Sequence, residues 1–316
     1  MSNINAPALP RLEYNAPPAP FLSDPATRVK AVILAIAVGL NLWALNSLPS
    51  RVSFAEVWWA PLPTIIILAG AGMFCTYQKW TRVGMFFCAL AWVASSGLSE
   101  IHALYAVGTM GGPLVDDWLA NIDASLGFCV ADVKVFADSM PLARNILAVL
   151  YDGIIVQTFL VLLLLSLKRD RISLNRFVIG FMICEPILLL SFLLMPAAGP
   201  FAHYGYEMTP MQALYLGQLE ALRGADAMHV AFPTGLVTFP SFHTTWAILL
   251  AYAVRKHRGW FTFGVVINAL IVLATLTTGW HFLADVIGGA LLAMIVIAVC
   301  NRMCRQQDDS LQAGAS

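Results

Sequence analysis

The side chains best suited to chemistry in this chain are two histidines, His243 and His281, and the carboxylate of Asp285. His281 and Asp285 are four residues apart, so they share one face if the segment is helical. An aspartate at that spacing can accept the proton of one imidazole nitrogen and leave the other nitrogen free to attack. The pair is therefore a candidate for nucleophilic catalysis, with His281 as the attacking group.

The other histidine lies in a short stretch, residues 239–244, with the sequence Phe-Pro-Ser-Phe-His-Thr. Pro240 suits the first turn of a helix, so the unpaired N–H groups near Ser241 and Phe242 are expected to point outward. The partial positive charge of such a helix start favours phosphate. Ser241 can add a hydroxyl donor, and we therefore predict an anion site beside the imidazole of His243.

The composition indicates that membrane-spanning helices position these residues. Hydrophobic residues make up 59% of the 316 residues and charged residues 11%, against about 45–50% and about 25% in soluble domains. A spanning helix needs about 20 predominantly apolar residues. Eight segments approach that criterion, at about 29–49, 56–76, 83–108, 146–167, 176–195, 240–254, 260–278 and 281–300. The predicted fold is an all-α polytopic membrane helix bundle of about eight spans, with a six-helix catalytic core towards the C-terminus.

The predicted spans divide the chain into four parts. Residues 1–27 are polar and rich in proline, which is typical of a disordered tail. Residues 28–108 are expected to form N-terminal transmembrane helices, and residues 109–305 a catalytic membrane domain. Residues 306–316 are expected to form a flexible C-terminal tail.

The distribution of basic residues predicts the orientation of the bundle. The chain has 18 lysines and arginines, and with the N-terminus inside, 14 of them fall inside and 4 outside. The four on the outside are Arg51, Lys134, Arg144 and Arg223. The positive-inside rule then predicts that both termini are cytoplasmic and that the histidines face the periplasm or a lumen.

The outer connection at 109–145 contains a further helical pattern. Trp118, Ile122 and Leu126 recur at helical spacing, with polar residues between them. One interpretation is a helix lying in the membrane interface near a lipid-access route. The alternative is a lid packed on the bundle, and the pattern does not distinguish the two.

Convergence of the two histidine segments favours a function over a structural role. His243 and His281 are separated by one inward span, a turn at 255–259 and one outward span, so both lie at the same membrane face. A lone histidine at a helix end is usually an interfacial polar residue, and Asp285 could simply cap a helix. Charged groups at membrane depth cost about 2.5–3.5 kcal/mol each, however, so three ionisable groups at one place indicate function.

At these positions the sequence resembles the type-2 phosphatidic acid phosphatase superfamily, which shares its site with vanadium haloperoxidases. Residues 240–243, Pro-Ser-Phe-His, resemble its Pro-Ser-x-His signature, and His281 with Asp285 resembles the end of the next signature, His-x-x-x-Asp. The fuller stretches, including Gly-Trp-His-Phe-Leu-Ala-Asp at 279–285, are more similar to the branch with inositol phosphorylceramide synthases and bacterial relatives.

The resemblance implies a role for each residue. His281 would be the nucleophile that forms a phosphohistidine, and Asp285 would orient it. His243 would protonate the leaving alkoxide and then activate water or an acceptor alcohol. Ser241 would hydrogen-bond the phosphoryl oxygens, beside the N–H group of Phe242 that the helix start offers to an anion. Neither a metal nor another cofactor is implied, because histidine supplies the nucleophile.

The sequence departs from the family pattern at its basic residues. The family has an arginine six residues before its histidine, where this chain has Thr275, and the signature Lys-x₆-Arg-Pro is missing. Those cations would neutralise the transferring phosphoryl group. The candidate replacements are Arg223, in the loop that leads to His243, and His203, each against the alternative of a solvated loop residue.

Three functions are therefore compared. The first is a lipid phosphatase acting on a phospholipid or isoprenoid phosphate or pyrophosphate, and the second transfers the phosphoryl-headgroup to a lipid alcohol. The third is a transporter that uses Glu185, Asp152 and His281 as a relay, although each buried carboxylate could equally form a helix-to-helix hydrogen bond. The expected partners are the lipid substrate and the bilayer. No nucleic-acid patch is apparent.

Overall fold

The protein is a bundle of α-helices in a computed structural model that describes residues 24–55 and 61–313, with side chains described as far as Met303. The described helices are α1 (Pro25–Ser47), α2 (Pro61–Tyr77), α3 (Thr81–Gly108), α4 (Asp116–Ser125), α5 (Val130–Asp138), α6 (Pro141–Asp152), α7 (Ile154–Leu167), α8 (Arg171–Leu194), α9 (Pro200–Tyr204), α10 (Pro210–Arg223), α11 (Phe242–Ala253), α12 (Arg258–Thr277) and α13 (Leu283–Ala313). Two short strands, β1 (Val52–Phe54) and β2 (Met228–Val230), form a parallel pair. The predicted all-α polytopic fold is confirmed.

Fewer helices than predicted are long enough to cross a bilayer alone. Within the described residues five helices meet the length and hydropathy needed, namely α1, α3, α8, α12 and α13. The predicted span 146–167 is instead split at Gly153 into α6 and α7, which are bent by 53° and together could form a sixth span. The other two predicted spans correspond to the shorter helices α2, with 17 residues, and α11, with 12. Residues 56–60 of the predicted second span lie outside the described residues.

The two predicted tails overlap the first and last helices. Helix α1 begins at Pro25, so the last residues of the predicted tail 1–27 are helical, while residues 1–23 lie outside the described part. At the other end, the backbone of α13 is helical to Ala313 and includes most of the predicted tail 306–316.

Helix α8 lies at the centre of the bundle. In the apolar stretch of α8, 61% is buried inside the protein, whereas in that of α1 only 17% is buried. Helix α1 therefore turns most of its surface outward. In the main core, Phe177 and Phe181 of α8 pack with Leu250 of α11 and Val296 of α13. This packing aligns α11 and α13, the two helices whose first turns adjoin the predicted catalytic histidines.

A layer of short elements covers the end of the bundle where α11 and α13 begin. The strands β1 and β2 join the α1–α2 connection to the loop that precedes α11. Arg51 reinforces this junction, because its guanidinium donates to the carbonyls of Ala221 and Leu222 at 2.9 Å each, at the C-terminal end of α10. Helix α10 is fixed in turn by Tyr215, whose ring packs edge-on against Trp280.

Two glycines allow α13 to approach the start of α11 very closely. A Cβ atom on Gly289 would collide with the carbonyl oxygen of Ser241, and one on Gly288 would lie 2.9 Å from the ring of Phe239. The Gly-Gly pair therefore brings the two predicted catalytic segments into backbone contact.

Candidate active site

His281 and Asp285 form a buried pair at the start of α13. Nδ1 of His281 lies 3.3 Å from Oδ2 of Asp285, and the aspartate is fully buried. The sequence predicted that both residues share one helix face, but α13 begins at Leu283, so His281 precedes the helix. In the tautomer with the proton on Nδ1, the carboxylate accepts that proton and the lone pair is on Nε2.

His243 lies in the first turn of α11 and is held by an aromatic stack. The ring of Tyr151, from α6, is parallel to the His243 ring within 12°, with centroids 3.9 Å apart. Tyr151 is buried and fixes one face of the imidazole. The sequence analysis did not identify Tyr151, because it is an ordinary aromatic residue in an apolar segment.

The two imidazoles converge on one space. The ring centroids of His243 and His281 are 6.5 Å apart and the rings are inclined by 52°. The segments that carry them are also joined directly, since the backbone N–H of Ser241 donates to the Asp285 carbonyl at 3.0 Å. Two histidines separated by 38 positions in the sequence are thus brought together at one end of the bundle.

The start of α11 differs in detail from the predicted anion site. The Ser241 N–H is bonded to Asp285 and does not point outward, and the Ser241 Oγ accepts from the Thr244 N–H at 3.3 Å, so Ser241 caps the helix. The Phe242 ring packs against Phe181 in the core. Among the described residues, the backbone N–H groups of Phe242 and His243 have no acceptor, so they are the donors left for an anion.

A comparison with protein families matches the part of the chain that contains both histidine segments. A protein-family model described as PAP2 superfamily matches residues 117–299, which is more than half of the chain and includes both histidine segments. The chain belongs to the PAP2 superfamily. This membership supports a phosphatase-type phosphoesterase activity in a membrane protein. No curated protein and no solved structure matches the chain. The likeness to the inositol phosphorylceramide synthase branch stays a prediction.

In this PAP2 protein, the two candidate replacements for the missing family cations are bound elsewhere. Arg223 donates from Nη2 to the Gly112 carbonyl at 2.5 Å and lines a cavity of about 520 Å³ whose lining does not include either histidine. His203 lies 3.3 Å from Asp117 and packs edge-on against Phe282, the residue after His281. His203 therefore adjoins the segment of His281, while Arg223 is bound to the Gly112 carbonyl.

The other basic residues predicted on the outer side also have local partners. Lys134 and Arg144 both pair with Asp138 at the end of α5, and Arg51 donates to carbonyls at the end of α10. None of the contacts described for these cations reaches His243 or His281. The position that carries arginine in the family pattern, Thr275, is fully buried and donates to the Val272 carbonyl at 2.7 Å.

Of the carboxylates considered for a relay, Glu185 joins two neighbouring helices, whereas Asp152 is exposed at the end of α6. Another buried polar residue, His102, also joins two helices. Glu185 of α8 is buried and accepts a hydrogen bond from Ser96 of α3. His102 of α3 lies 3.2 Å from the side-chain nitrogen of Asn41 in α1. These contacts support the helix-to-helix interpretation of buried polar residues.

The connection at 109–145, interpreted from its sequence as an interfacial helix or as a lid, packs on the bundle. In α4 the buried residues are Asp116, Leu119, Ala120 and Asp123, and Leu119 packs with Phe282. The predicted apolar stripe is largely on the other side, since Trp118 is 50% exposed and Leu126 56%. Helix α4 therefore packs on the bundle and leaves its apolar stripe exposed, an arrangement that fits both interpretations. Its buried face includes acidic residues that the hydrophobic pattern could not identify.

Proposed function

We propose that this protein is an integral membrane lipid phosphatase that acts on a lipid phosphate or pyrophosphate through a phosphohistidine at His281. The observation that carries the proposal is the pair of imidazoles 6.5 Å apart, one of which adjoins the buried carboxylate of Asp285. Two imidazoles this close can act on the same substrate, one attacking phosphorus while the other exchanges a proton with the leaving oxygen. PAP2 membership supports the phosphoesterase class.

The proposed reaction has two steps with His243 and His281 in opposite roles. In the first, Nε2 of His281 attacks phosphorus, the bond to the lipid oxygen breaks, and His243 gives that oxygen its proton. Asp285 holds the Nδ1 proton and stabilises the positive charge on the His281 ring. In the second, His243 takes a proton from water, the hydroxide attacks phosphorus, and the N–P bond breaks. Inorganic phosphate leaves and His281 is regenerated.

The surroundings of Tyr151 support a lipid as the substrate. Tyr151 stacks on His243, and the same helix, α6, exposes apolar side chains that include Ile146 at 52% and Val149 at 70%. In α7, Ile155 is 68% exposed. An apolar outer surface on the helix that touches the site suits a substrate whose tail stays in the bilayer.

A second candidate is a transferase that hands the phosphoryl-headgroup to a lipid alcohol. Two observations favour the transferase. Thr275 is buried where the family has an arginine, and Arg223 is bound to the Gly112 carbonyl. A site with fewer cations stabilises a bare phosphoryl group less well, whereas a phosphodiester donor carries less charge. The transferase would use the same phosphohistidine, with the acceptor alcohol replacing water.

The test is turnover by purified protein in detergent micelles. Phosphatidic acid and a polyprenyl pyrophosphate are offered separately, and phosphate release is measured beside trapping of label on His281. We expect His281→Ala to abolish both, whereas His229→Ala, a matched change at an exposed histidine of β2, leaves both intact.

Transfer of a headgroup to ceramide or diacylglycerol, without phosphate release, would instead support the transferase. Turnover that survives His281→Ala would refute the phosphohistidine mechanism. Turnover in micelles, without any gradient, would also argue against the transporter.

A further inference from the structure

Helix α4 carries two carboxylates on its buried face. Asp116 and Asp123 are seven residues apart, two turns of helix, and both are buried although each is an ionisable group. Burial of a carboxylate is costly unless its oxygens are hydrogen-bonded. Asp116 accepts from the N–H groups of Ala198 and Gly199 at 2.9 and 2.7 Å. Each aspartate thus binds two consecutive backbone N–H groups of another segment.

The segment that Asp123 binds is the start of α13. Oδ2 accepts from the Leu283 N–H and Oδ1 from the Ala284 N–H, both at 2.8 Å. Leu283 and Ala284 are the first two residues of α13, whose N–H groups have no acceptor within the helix. Asp123 therefore caps α13 from a separate helix 160 positions earlier in the chain. A negative charge at that end also complements the helix dipole.

Together with Asp285, this cap fixes the backbone between the predicted nucleophile and its partner. The Phe282 N–H donates to Asp285 Oδ2 at 2.8 Å, so three consecutive N–H groups are held by two carboxylates. On the other side, the His281 N–H donates to the Thr275 carbonyl at 3.3 Å. The backbone around His281 consequently has little freedom to rotate.

Helix α4 also contacts the segment that carries the other histidine. The ring of Trp118 packs edge-on against Phe239, with centroids 6.3 Å apart. Phe239 comes shortly before His243, and its ring lies beside Gly288 of α13. A single short helix therefore touches both segments whose rings converge.

We infer that Asp123 is a positioning residue for the reaction, which holds His281 at the angle needed for attack by fixing the first N–H groups of α13. The inference rests on the proposed function. Asp123 is not a catalytic residue, because both of its oxygens are committed to the Leu283 and Ala284 N–H groups and its side chain is fully buried. Its effect reaches the substrate only through the geometry of His281.

The experiment replaces Asp123 by residues that change its bonds in graded ways. Asp123→Asn turns one acceptor oxygen into an NH₂ donor that opposes a backbone N–H, so one of the two bonds is lost. We expect kcat to fall by about 10–100-fold with KM nearly unchanged, because a displaced nucleophile weakens the transition state more than substrate binding. Asp123→Glu keeps the carboxylate on a longer side chain and should give a kcat between those of Asp123→Asn and wild type. The matched control, Asp132→Asn, alters an exposed aspartate of α5 and should leave kcat unchanged.

A second readout does not require turnover. Histidine-directed acylation, located by mass spectrometry, reports how well His281 is held, and we expect its rate to rise several-fold in Asp123→Asn and not in Asp132→Asn. If wild type turns over no lipid phosphate, the proposed function fails while this readout still tests the role of Asp123.

A folded Asp123→Asn protein with the kcat and acylation rate of wild type would overturn the inference. If Asp123→Asn does not fold, a folded but slowed Asp123→Glu protein supports it. Unfolding of both variants would make Asp123 a residue of folding alone and overturn it.

Discussion

At the scale of single residues, the two histidines are held in different ways. His281 has a buried carboxylate within reach of Nδ1, whereas His243 has the ring of Tyr151 stacked on one face. A carboxylate selects a tautomer and stabilises positive charge. A stacked ring restricts orientation without fixing a proton. This difference suits the proposed roles, since a general acid and base must gain and lose its proton in each cycle.

The stack predicts how changes at Tyr151 affect catalysis. Tyr151→Ala removes the ring that orients His243, and aromatic pairs contribute about 0.5–1.5 kcal/mol beyond their buried area. We expect kcat for phosphate release to fall by about 2–10-fold or more, since about 1.4 kcal/mol corresponds to a factor of ten. Tyr151→Phe keeps the ring and should lose less than Tyr151→Ala. Equal losses in the two variants would show that the hydroxyl, and not the stack, matters.

At the scale of elements, the site depends on the approach of α13 to the start of α11. Gly289 faces the Ser241 carbonyl, and the hydroxyl of Thr245 in α11 donates to the Gly289 carbonyl at 2.9 Å. The backbones are thus in direct contact at the depth of the histidines. Any side chain at position 289 must push the two helices apart.

Gly289→Ala is therefore expected to destabilise the protein. Overpacking of a tight contact costs about 1–3 kcal/mol, so the unfolding temperature in detergent should fall. Gly217→Ala is the matched control, because Gly217 lies inside α10 and a Cβ there meets nothing within 4 Å. In a helix, alanine is favoured over glycine by about 0.5–1 kcal/mol, so this control should be slightly stabilised. A loss of stability in both variants would contradict the packing argument.

At the opposite end of the bundle, Asp170 links the start of α8 to the turn between α11 and α12. It accepts from the Ser173 N–H at 3.1 Å and lies near Lys256 and His257 in the turn between α11 and α12. Burial alone would raise the pKa of Asp170, but the hydrogen bonds from Ser173 and the nearby positive charges outweigh it and lower the pKa below its ordinary value. The ionised form is thus favoured in the folded protein.

A lowered carboxyl pKa gives stability that is present above the ordinary value, about 3.8, and is lost as pH falls through the folded value. We expect the wild-type unfolding temperature to decrease below about pH 4. Asp170→Asn keeps a capping oxygen but cannot ionise, so it should show a smaller decrease over the same interval. Parallel pH curves for the two proteins would exclude Asp170 as a contributor.

At the scale of the whole molecule, the short elements are concentrated at the end with the histidines. Helices α4, α9 and α10 and the strand pair form a layer there, whereas the connection between α11 and α12 is a short basic turn. This asymmetry agrees with the predicted orientation, in which long connections lie outside and basic turns inside. Which membrane face each end occupies stays a prediction.

Labelling of introduced cysteines tests that orientation. A membrane-impermeant thiol reagent applied to sealed cells or vesicles of known orientation should label Asp226→Cys from the outside. It should label Lys256→Cys only after permeabilisation, because this residue lies in the basic turn. The unmodified protein, with its native cysteines, gives the background. Labelling of Lys256→Cys from the outside would reverse the proposed topology and place the reaction in the cytoplasm.

Much of the fold and part of the site could be predicted from the sequence. Apolar runs identified helices now described as α1, α3, α8, α12 and α13, because the number of apolar residues needed to cross a bilayer is a local property. The same pattern could not identify the bend at Gly153 or the shortness of α11. Both depend on what each segment packs against, which hydropathy does not report.

The sequence by itself determined the chemistry available to this protein: a membrane bundle with two imidazoles and a carboxylate in segments typical of the PAP2 superfamily. Only the tertiary structure decided how those groups meet. The stack of Tyr151 on His243 and the cap of Asp123 on α13 join residues 92 and 160 positions apart. Such contacts arise from the packing of whole helices, so no local pattern of residue types could specify them.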